Sequence, residues 1–287
     1  MNPSKSHKND AKKVFREKGT CSRTFAYLLN REFGNNKDSE ECATDPMAGG
    51  LMQKGHQCGM LWGSSLAVGA EALRRGQNNN DSIRLAIKAT KNILESFSKQ
   101  TSTINCREIT NSNMDNFFGL TKYMIKTLIQ GMDNSTCFKL AEEWYPKAIQ
   151  SAKEGFEQEP NISNQETLSC STEVAKKMGA SEEEQIMVAG FAGGLGLSGN
   201  ACGALSAAIW MNSLEWAKEN PNKSTFKNKN AKTTLKAFNM ETNSEMLCHK
   251  ICQNSFKTID EHTQFIKNGG CSKLIDVLAQ TSRNKNN

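Results

Sequence analysis

A tandem duplication constrains this chain more than any other feature, because two similar halves predict two similarly folded units. Residues 47–63 reappear as residues 191–207, at a constant offset of 144 residues and without a gap. Each copy has two adjacent glycines followed by a Cys-Gly pair, which begins at Cys58 in the first copy and at Cys202 in the second. The duplication therefore predicts two homologous repeats.

The cysteines repeat in the same order. Eight of the ten form two sets of four. The first set is Cys21, Cys58, Cys106 and Cys137, and the second is Cys170, Cys202, Cys248 and Cys271. Successive spacings are 37, 48 and 31 residues in the first set and 32, 46 and 23 in the second. Cys42 and Cys252 have no counterpart, since Ile186 and Thr110 stand at the matching positions, and we expect both to be bystander thiols.

Apolar periodicity predicts an all-α fold of two helical-bundle repeats. The stretch from Phe25 to Phe33 has a helical period, and Gly34 is a natural stop after it. A second stripe, from Leu205 to Trp216, predicts a helix that begins at Cys202 and is interrupted at Asn212. Since the chain has only five prolines and no sustained alternation of polar and apolar residues, we expect no sheet.

The domain organisation follows from the repeat, since 287 residues suffice for two domains, each with a core. A long amphipathic helix from Cys137 to Phe156 should close the first repeat, and residues 220–234, rich in Asn and Lys, should form a mobile loop. The predicted units are a disordered tail at 1–11, a first repeat at 12–157, a linker at 158–164 and a second repeat at 165–283.

Composition excludes several classes of protein. No run of about 18 apolar residues exists, which argues against a membrane-spanning protein. The lysine-rich N-terminus lacks the apolar stretch of a signal peptide, so we expect a cytoplasmic protein with reduced thiols. The net charge of +6 comes from lysines dispersed among Asn, Ser and Thr, which is not typical of a nucleic-acid surface. Nothing in the sequence indicates an oligomeric state.

The repeated cysteines predict metal or redox chemistry. Cys21, Cys58, Cys170 and Cys202 fall at predicted helix N-termini, where backbone N–H groups and the helix dipole favour a thiolate. The wide spacing matches neither a zinc knuckle nor a ferredoxin run, and instead suggests a site between helices. An iron–sulfur cluster, a zinc ion and two dithiol pairs all stay open.

Two other signals carry less weight. Residues 194–199 satisfy the dinucleotide pattern GxGxxG, but they follow a predicted helix from Ser181 to Phe191 rather than a strand. His56 and His249 neighbour cysteines and could replace a ligand or move a proton. Their counterparts are Asn200 and Arg107, so we expect no common role for them.

At these residues the chain resembles the redox-active family named for its C-GCAxxG-C-C pattern, which consists of helical proteins about one repeat long with four characteristic cysteines. Cys202-Gly203-Ala204-Leu205 matches the central motif, with Ala207 in place of the closing glycine. The first copy keeps that glycine as Gly63 but has Met60 for alanine. The resemblance implies a redox role for both copies. One branch of the family carries c-type haem, but no Cys-x-x-Cys-His occurs here.

Our leading hypothesis is a redox protein that binds one iron–sulfur cluster through the first set of cysteines and another through the second, and passes electrons to a partner protein. Its basic loops would favour an acidic partner. The alternatives are a thiol–disulfide oxidoreductase in which Cys58 or Cys202 attacks, and a non-catalytic scaffold stabilised by zinc.

Overall fold

The computed structural model describes residues 9–157 and 166–282, and these residues form fifteen α-helices and no β-strand. The first repeat contains α1 (Ala11–Lys18), α2 (Cys21–Phe33), α3 (Asp38–Cys42), α4 (Gly59–Arg75), α5 (Asn79–Thr101), α6 (Cys106–Thr110), α7 (Phe117–Gln130) and α8 (Thr136–Glu157). The second contains α9 (Cys170–Lys177), α10 (Glu182–Met187), α11 (Gly203–Glu219), α12 (Lys229–Thr242), α13 (Cys248–Ile251), α14 (Ile259–Lys267) and α15 (Ser272–Ala279). The predicted all-α fold of two repeats is confirmed.

Helix α2 shows how local chemistry sets the helix ends. Its N-cap Thr20 accepts a hydrogen bond from the backbone N–H of Arg23 at 3.2 Å, which satisfies one of the free donors of the first turn. It ends before Gly34, whose φ of 77° suits a left-handed cap. The helix therefore begins at Cys21 and ends where the sequence predicts.

One hydrophobic core runs through both repeats. Helix α4 packs against α2 and α5 in the first repeat, and α11 packs against α9 and α12 in the second. The repeats meet where α10 and the turn after it lie on α4 and α5. There the ring of Trp62 stands edge-on to Phe191, with ring centroids 5.1 Å apart. The two repeats consequently share buried surface and hold each other in place.

The glycine pairs open an unusual turn that both repeats share. Five successive residues, 49–53 in the first repeat and 193–197 in the second, have positive φ angles. A Cβ atom at Gly50 would lie 2.4 Å from the carbonyl oxygen of His56, and one at Gly194 would lie 2.7 Å from the backbone nitrogen of Asn200. Only glycine allows this close return of the backbone. The turn delivers the chain to the cysteine that precedes α4 or α11.

The structure bears on the predicted tail, the predicted linker and the predicted helix before the GxGxxG pattern. The tail was predicted to extend to residue 11, but α1 begins at Ala11, which is fully buried. The linker at 158–164 lies outside the described residues. The predicted helix from Ser181 to Phe191 is α10 followed by a short 3-10 turn at Ala189–Phe191, so the GxGxxG pattern does follow helical structure.

The prediction of a mobile loop at 220–234 is wrong for its second half. Helix α12 begins at Lys229, because the Asn228 side chain caps it by accepting from the N–H of Asn230 at 2.9 Å. Because this stretch is rich in lysine and asparagine, its composition predicts a loop and does not show the short buried face of the helix. The first half of the segment is anchored too, since the Ser224 hydroxyl donates to the buried carboxylate of Asp45 at 2.7 Å.

Across the described ranges, no helix combines the length and the apolar character needed to cross a bilayer.

Candidate functional site

The four cysteines of the first set line one cavity of about 380 Å³, here called the first cysteine cavity. Cys21 is the first residue of α2, Cys58 immediately precedes α4, Cys106 is the first residue of α6, and Cys137 is the second residue of α8. Four sulfurs separated by up to 116 residues of chain thus meet at one place because four helices begin there. The sequence predicts this position at a helix start for Cys21, Cys58 and Cys137 but not for Cys106.

A short backbone pairing holds the second and third cysteines of each set side by side. In the first repeat Gln57 and Asn105 form an isolated antiparallel bridge, and the N–H of Cys106 donates to the carbonyl of His56 at 2.7 Å. In the second repeat Ala201 and Leu247 form the equivalent bridge. Since it involves only backbone atoms, this pairing tolerates the different side chains of the two copies.

The walls of the first cysteine cavity are mainly apolar and come from both repeats. Helix α7 covers one side with Leu120 and Tyr123, and the Tyr123 hydroxyl lies 3.1 Å from the Cys137 sulfur. Phe226, from the anchored segment of the second repeat, closes another side. The outer face of α7 is strongly exposed, with Phe118 at 83% and Ile129 at 80% of full exposure.

The thiols of this cavity differ in acidity. A hydrogen bond donated by the Cys58 thiol lowers the pKa of Cys21, assisted by backbone N–H groups. That same bond, together with burial, raises the pKa of Cys58 well above its usual value. Burial also raises the pKa of Cys106, and it raises the pKa of Cys137 to about 12. Cys21 is therefore the thiol that ionises most readily.

The second set of cysteines also comes together, with an additional member. The sulfur of Cys252 lies 3.5 Å from that of Cys271 and 3.8 Å from that of Cys248. Cys170 and Cys202 lie close enough to Cys271 for their charges to interact. We call these five residues the second cysteine cluster. Cys252, which we expected to be a bystander thiol, lies within this group because α13 is a single turn that places it beside Cys248.

Burial outweighs the helix dipole in most of these thiols. The pKa of Cys170 is raised to about 12, and that of Cys202 is raised further, in both cases mainly by burial. The pKa of Cys21 is lowered, but mainly by the hydrogen bond from Cys58, and the lowering predicted at helix N-termini does not occur at Cys58, Cys170 or Cys202. The sequence shows a helix start but not how deeply it is buried.

The remaining candidate residues lie apart from these sulfurs or have structural contacts. Cys42 is buried, and its thiol donates to the carbonyl of Lys223 at 3.3 Å, which joins the two repeats. The Nδ1 atom of His249 lies 2.7 Å from the carbonyl oxygen of Gly199. Burial and the neighbouring Arg107 lower the pKa of His56.

The donor atoms bear on which metal centre could fit. Among the residues that the structure describes, no three His, Cys, Asp or Glu side chains converge closely enough to hold a single metal ion. In the first cysteine cavity the four thiols instead surround a larger apolar space. Four thiolates are the ligand set of iron–sulfur clusters. The volume of the first cavity has room for such a group, with Cys21 and Cys58 as a hydrogen-bonded pair on its wall. In the second cluster the sulfur of Cys252 touches those of Cys248 and Cys271, which leaves no room between these sulfurs for one.

Comparison with known proteins supports the duplication. The family model "Putative redox-active protein (C_GCAxxG_C_C)" matches twice, at residues 20–152 and at residues 167–284. Neither the curated proteins nor the solved structures contain a match to this chain. Because the two matches cover most of the chain, the protein belongs to the C_GCAxxG_C_C family of redox-active proteins and carries two tandem copies of its unit.

Proposed function

We propose that this protein is an electron carrier that binds an iron–sulfur cluster in the first cysteine cavity, with Cys21, Cys58, Cys106 and Cys137 as ligands. The observation that carries the proposal is the convergence of four thiols on one apolar cavity of about 380 Å³. A cluster bound there would supply one-electron redox chemistry, at a potential tuned by burial and by hydrogen bonds to the sulfurs. The equivalent ligand set Cys170, Cys202, Cys248 and Cys271 stays a prediction.

The size of the cavity favours a cluster over a single zinc ion. Zinc draws its thiolates to about 2.3 Å from one point, which brings the sulfurs into mutual contact. The four cysteines instead line a cavity of about 380 Å³ that many other side chains also line, and this volume is much larger than one ion. A polynuclear group would fill more of this volume than a single zinc ion.

The protein's own contribution is to balance the charge of four thiolates. Helices α2, α4 and α8 begin at or next to a cysteine, so their positive ends face the sulfurs. Because burial holds Cys58, Cys106 and Cys137 in the protonated form, their protons must leave when they become ligands. Loading should therefore improve as the pH rises.

The proposed partner is an acidic redox protein that docks on α7. This helix covers the cavity, and its outer face combines exposed apolar side chains with Lys122 and Lys126 and carries no acidic residue. Docking there would bring the partner next to the sulfur of Cys137, through Tyr123. Charge complementarity speeds such an encounter and weakens with salt. The cytoplasmic compartment stays a prediction.

A second candidate function has its own supporting observation. Cys21 has a lowered pKa and a hydrogen-bonded neighbour in Cys58, which is the arrangement of an attacking and a resolving thiol. In this alternative Cys21 attacks, whereas the sequence assigned that role to Cys58 or Cys202.

Anaerobic reconstitution with iron and sulfide tests the proposal. The wild-type protein and a Cys42→Ser control should both take up iron and sulfide and develop visible absorption, whereas Cys137→Ser should lose most of both. Protein that stays colourless and free of iron would refute the cluster. Bound zinc, with loss of helicity on chelation, would support the scaffold instead. Selective alkylation of Cys21 below about pH 7 in iron-free protein would support thiol exchange.

A further inference from the structure

The second repeat contains a group of three neighbouring thiols that the first repeat lacks. Cys252 ends the single turn of α13 that begins at Cys248, and its sulfur lies nearer to Cys271 than to Cys248, at 3.5 Å against 3.8 Å. In the first repeat the matching residue is Thr110, whose hydroxyl donates to the carbonyl of Cys106 at 2.7 Å. The extra thiol therefore changes the chemistry of one copy only.

Exposure separates the members of the second cysteine cluster. Cys170, Cys202 and Cys248 are buried, whereas Cys252 and Cys271 are partly exposed. A soluble oxidant that cannot reach the three buried sulfurs can reach these two. The pair that lies closest is therefore also the pair that solvent reaches.

The backbone around Cys271 allows the remaining approach. A disulfide needs its sulfurs about 2.05 Å apart, so the 3.5 Å separation must shrink by roughly 1.5 Å. Cys271 follows Gly269, where an added Cβ would meet no atom within 4 Å, and Gly270, which packs against the ring of Phe265. Cys248 is held more tightly, because its N–H donates to the carbonyl of Asn200 at 2.5 Å. A disulfide between Cys252 and Cys271 should therefore form more easily than one between Cys252 and Cys248.

From these contacts we propose that Cys252 and Cys271 form a reversible dithiol–disulfide pair, a two-electron site that is separate from the first cysteine cavity. Its co-substrate is a disulfide, either of a small thiol or of a protein. One of the two thiols gives up its proton and attacks a sulfur of that disulfide, so that a mixed disulfide forms and the departing sulfur takes up a proton and leaves as a thiol. The other then attacks the protein-bound sulfur, closes the Cys252–Cys271 bond and releases the second thiol. The protein loses two electrons and two protons, and one disulfide is reduced to two thiols.

This proposal goes beyond the electron-carrier function and does not depend on it. The sulfur of Cys252 touches those of Cys248 and Cys271, so it suits a bond to one of them better than ligation around a cluster core. A first repeat that fails to load iron would leave the thiol pair intact. Conversely, a second repeat that forms no disulfide would leave the first cavity able to bind its cluster.

Peptide mapping gives a direct test, because trypsin separates the three sulfurs. Cleavage after Lys250 leaves Cys252 in peptide 251–257, Cys271 in peptide 268–273 and Cys248 in peptide 237–250. Reduced, anaerobically purified protein is treated with oxidised glutathione, alkylated and digested without reductant. The expected product is peptide 251–257 linked to peptide 268–273, and it should open again on addition of reduced glutathione.

Matched variants make the outcome decisive. Cys252→Ser should lower the amount of the linked peptide at least tenfold while keeping the wild-type helix content by circular dichroism, and Cys42→Ser should leave it unchanged. Cys106→Ser, which impairs the first cavity, should also leave it unchanged. The proposal is overturned if oxidised glutathione yields only mixed disulfides or a Cys248–Cys252 link. It is equally overturned if zinc copurifies and its retention requires Cys252.

Discussion

Gly63→Ala tests whether the closing glycine of the motif is there for helix packing. Helix α4 crosses α2 so closely at this point that a Cβ atom on Gly63 would lie 2.0 Å from the carbonyl oxygen of Ser22 and 2.9 Å from the backbone nitrogen of Ala26. Both atoms belong to the backbone of α2, so no side-chain rotation can relieve the overlap. The helices must separate, and α2 carries Cys21 at its first residue.

Two opposing contributions set the size of the effect. Alanine is a better helix former than glycine by about 1 kcal/mol. Overpacking a buried contact costs about 1–3 kcal/mol, and an overlap with backbone should reach the upper end. We expect Gly63→Ala to lower the free energy of unfolding by about 2 kcal/mol, which raises the unfolded fraction roughly 30-fold. Urea unfolding followed by far-UV circular dichroism measures this difference.

The second repeat supplies a matched control, since Ala207 stands where Gly63 stands in the first and is fully buried. Ala207→Gly should cost about 1 kcal/mol from poorer helix propensity and about 1 kcal/mol more from loss of the buried methyl group. Iron uptake should fall in Gly63→Ala and stay unchanged in Ala207→Gly, because only the former displaces Cys21. If Gly63→Ala stabilises the protein while Ala207→Gly destabilises it, helix propensity explains both results. The close crossing of α2 and α4 would then contribute nothing to the free energy of unfolding.

Three further outcomes follow from the electrostatics of buried groups. Cys58→Ala removes the thiol that donates to Cys21, so alkylation of Cys21 in metal-free protein should shift to higher pH. Cys58→Ser keeps a donor and should shift it less. Identical pH profiles for the two variants would contradict the hydrogen bond. Burial lowers the pKa of His262 to about 4. Because an unfolded histidine titrates near 6.5, the unfolded chain binds more protons below that pH, and stability should fall by about 2 kcal/mol between pH 7 and pH 5. His262→Gln should lose this part of the pH dependence of urea unfolding, and an unchanged slope would refute it. Tyr123→Phe should slow alkylation of Cys137 at alkaline pH, because the hydroxyl near its sulfur lowers the pKa that burial raises, and faster alkylation would point to shielding instead.

Most of the features that could be predicted from the sequence were predicted from its internal repeat. An ordered cysteine set in two copies implies a common framework, and the structure brings the first set to one cavity and the second set into one cluster. Helix α2 and helix α8 were predictable because their apolar residues recur at a helical period and their ends carry clear signals. These are local properties, which a single sequence records directly.

Other features depend on burial, which the local sequence does not show. The raised pKa of Cys202 comes from the depth of its position, not from its place at a helix start. Helix α12 was missed because its first two turns are rich in lysine, asparagine and threonine, although Ala231 and Phe238 bury one face. The position of Cys252 depends on the loop that returns to Cys271, and nothing in the pattern around Cys252 encodes that loop.

The two repeats share the features that their backbone atoms form, and they differ in the side chains that line their cysteine sites. Both keep the turn of positive φ and the antiparallel bridge that sets the second cysteine beside the third. Apart from the glycines of the turn, neither element needs a particular residue type. Each copy can therefore carry different side chains at its cysteine site and keep the same fold. In the first repeat α7 lies over an open cavity, whereas the second repeat has a fifth thiol, Cys252, in contact with the sulfurs of Cys248 and Cys271. A duplicated backbone framework with different side chains therefore accounts for an open cavity lined by four cysteines in one repeat and a group of contacting thiols in the other.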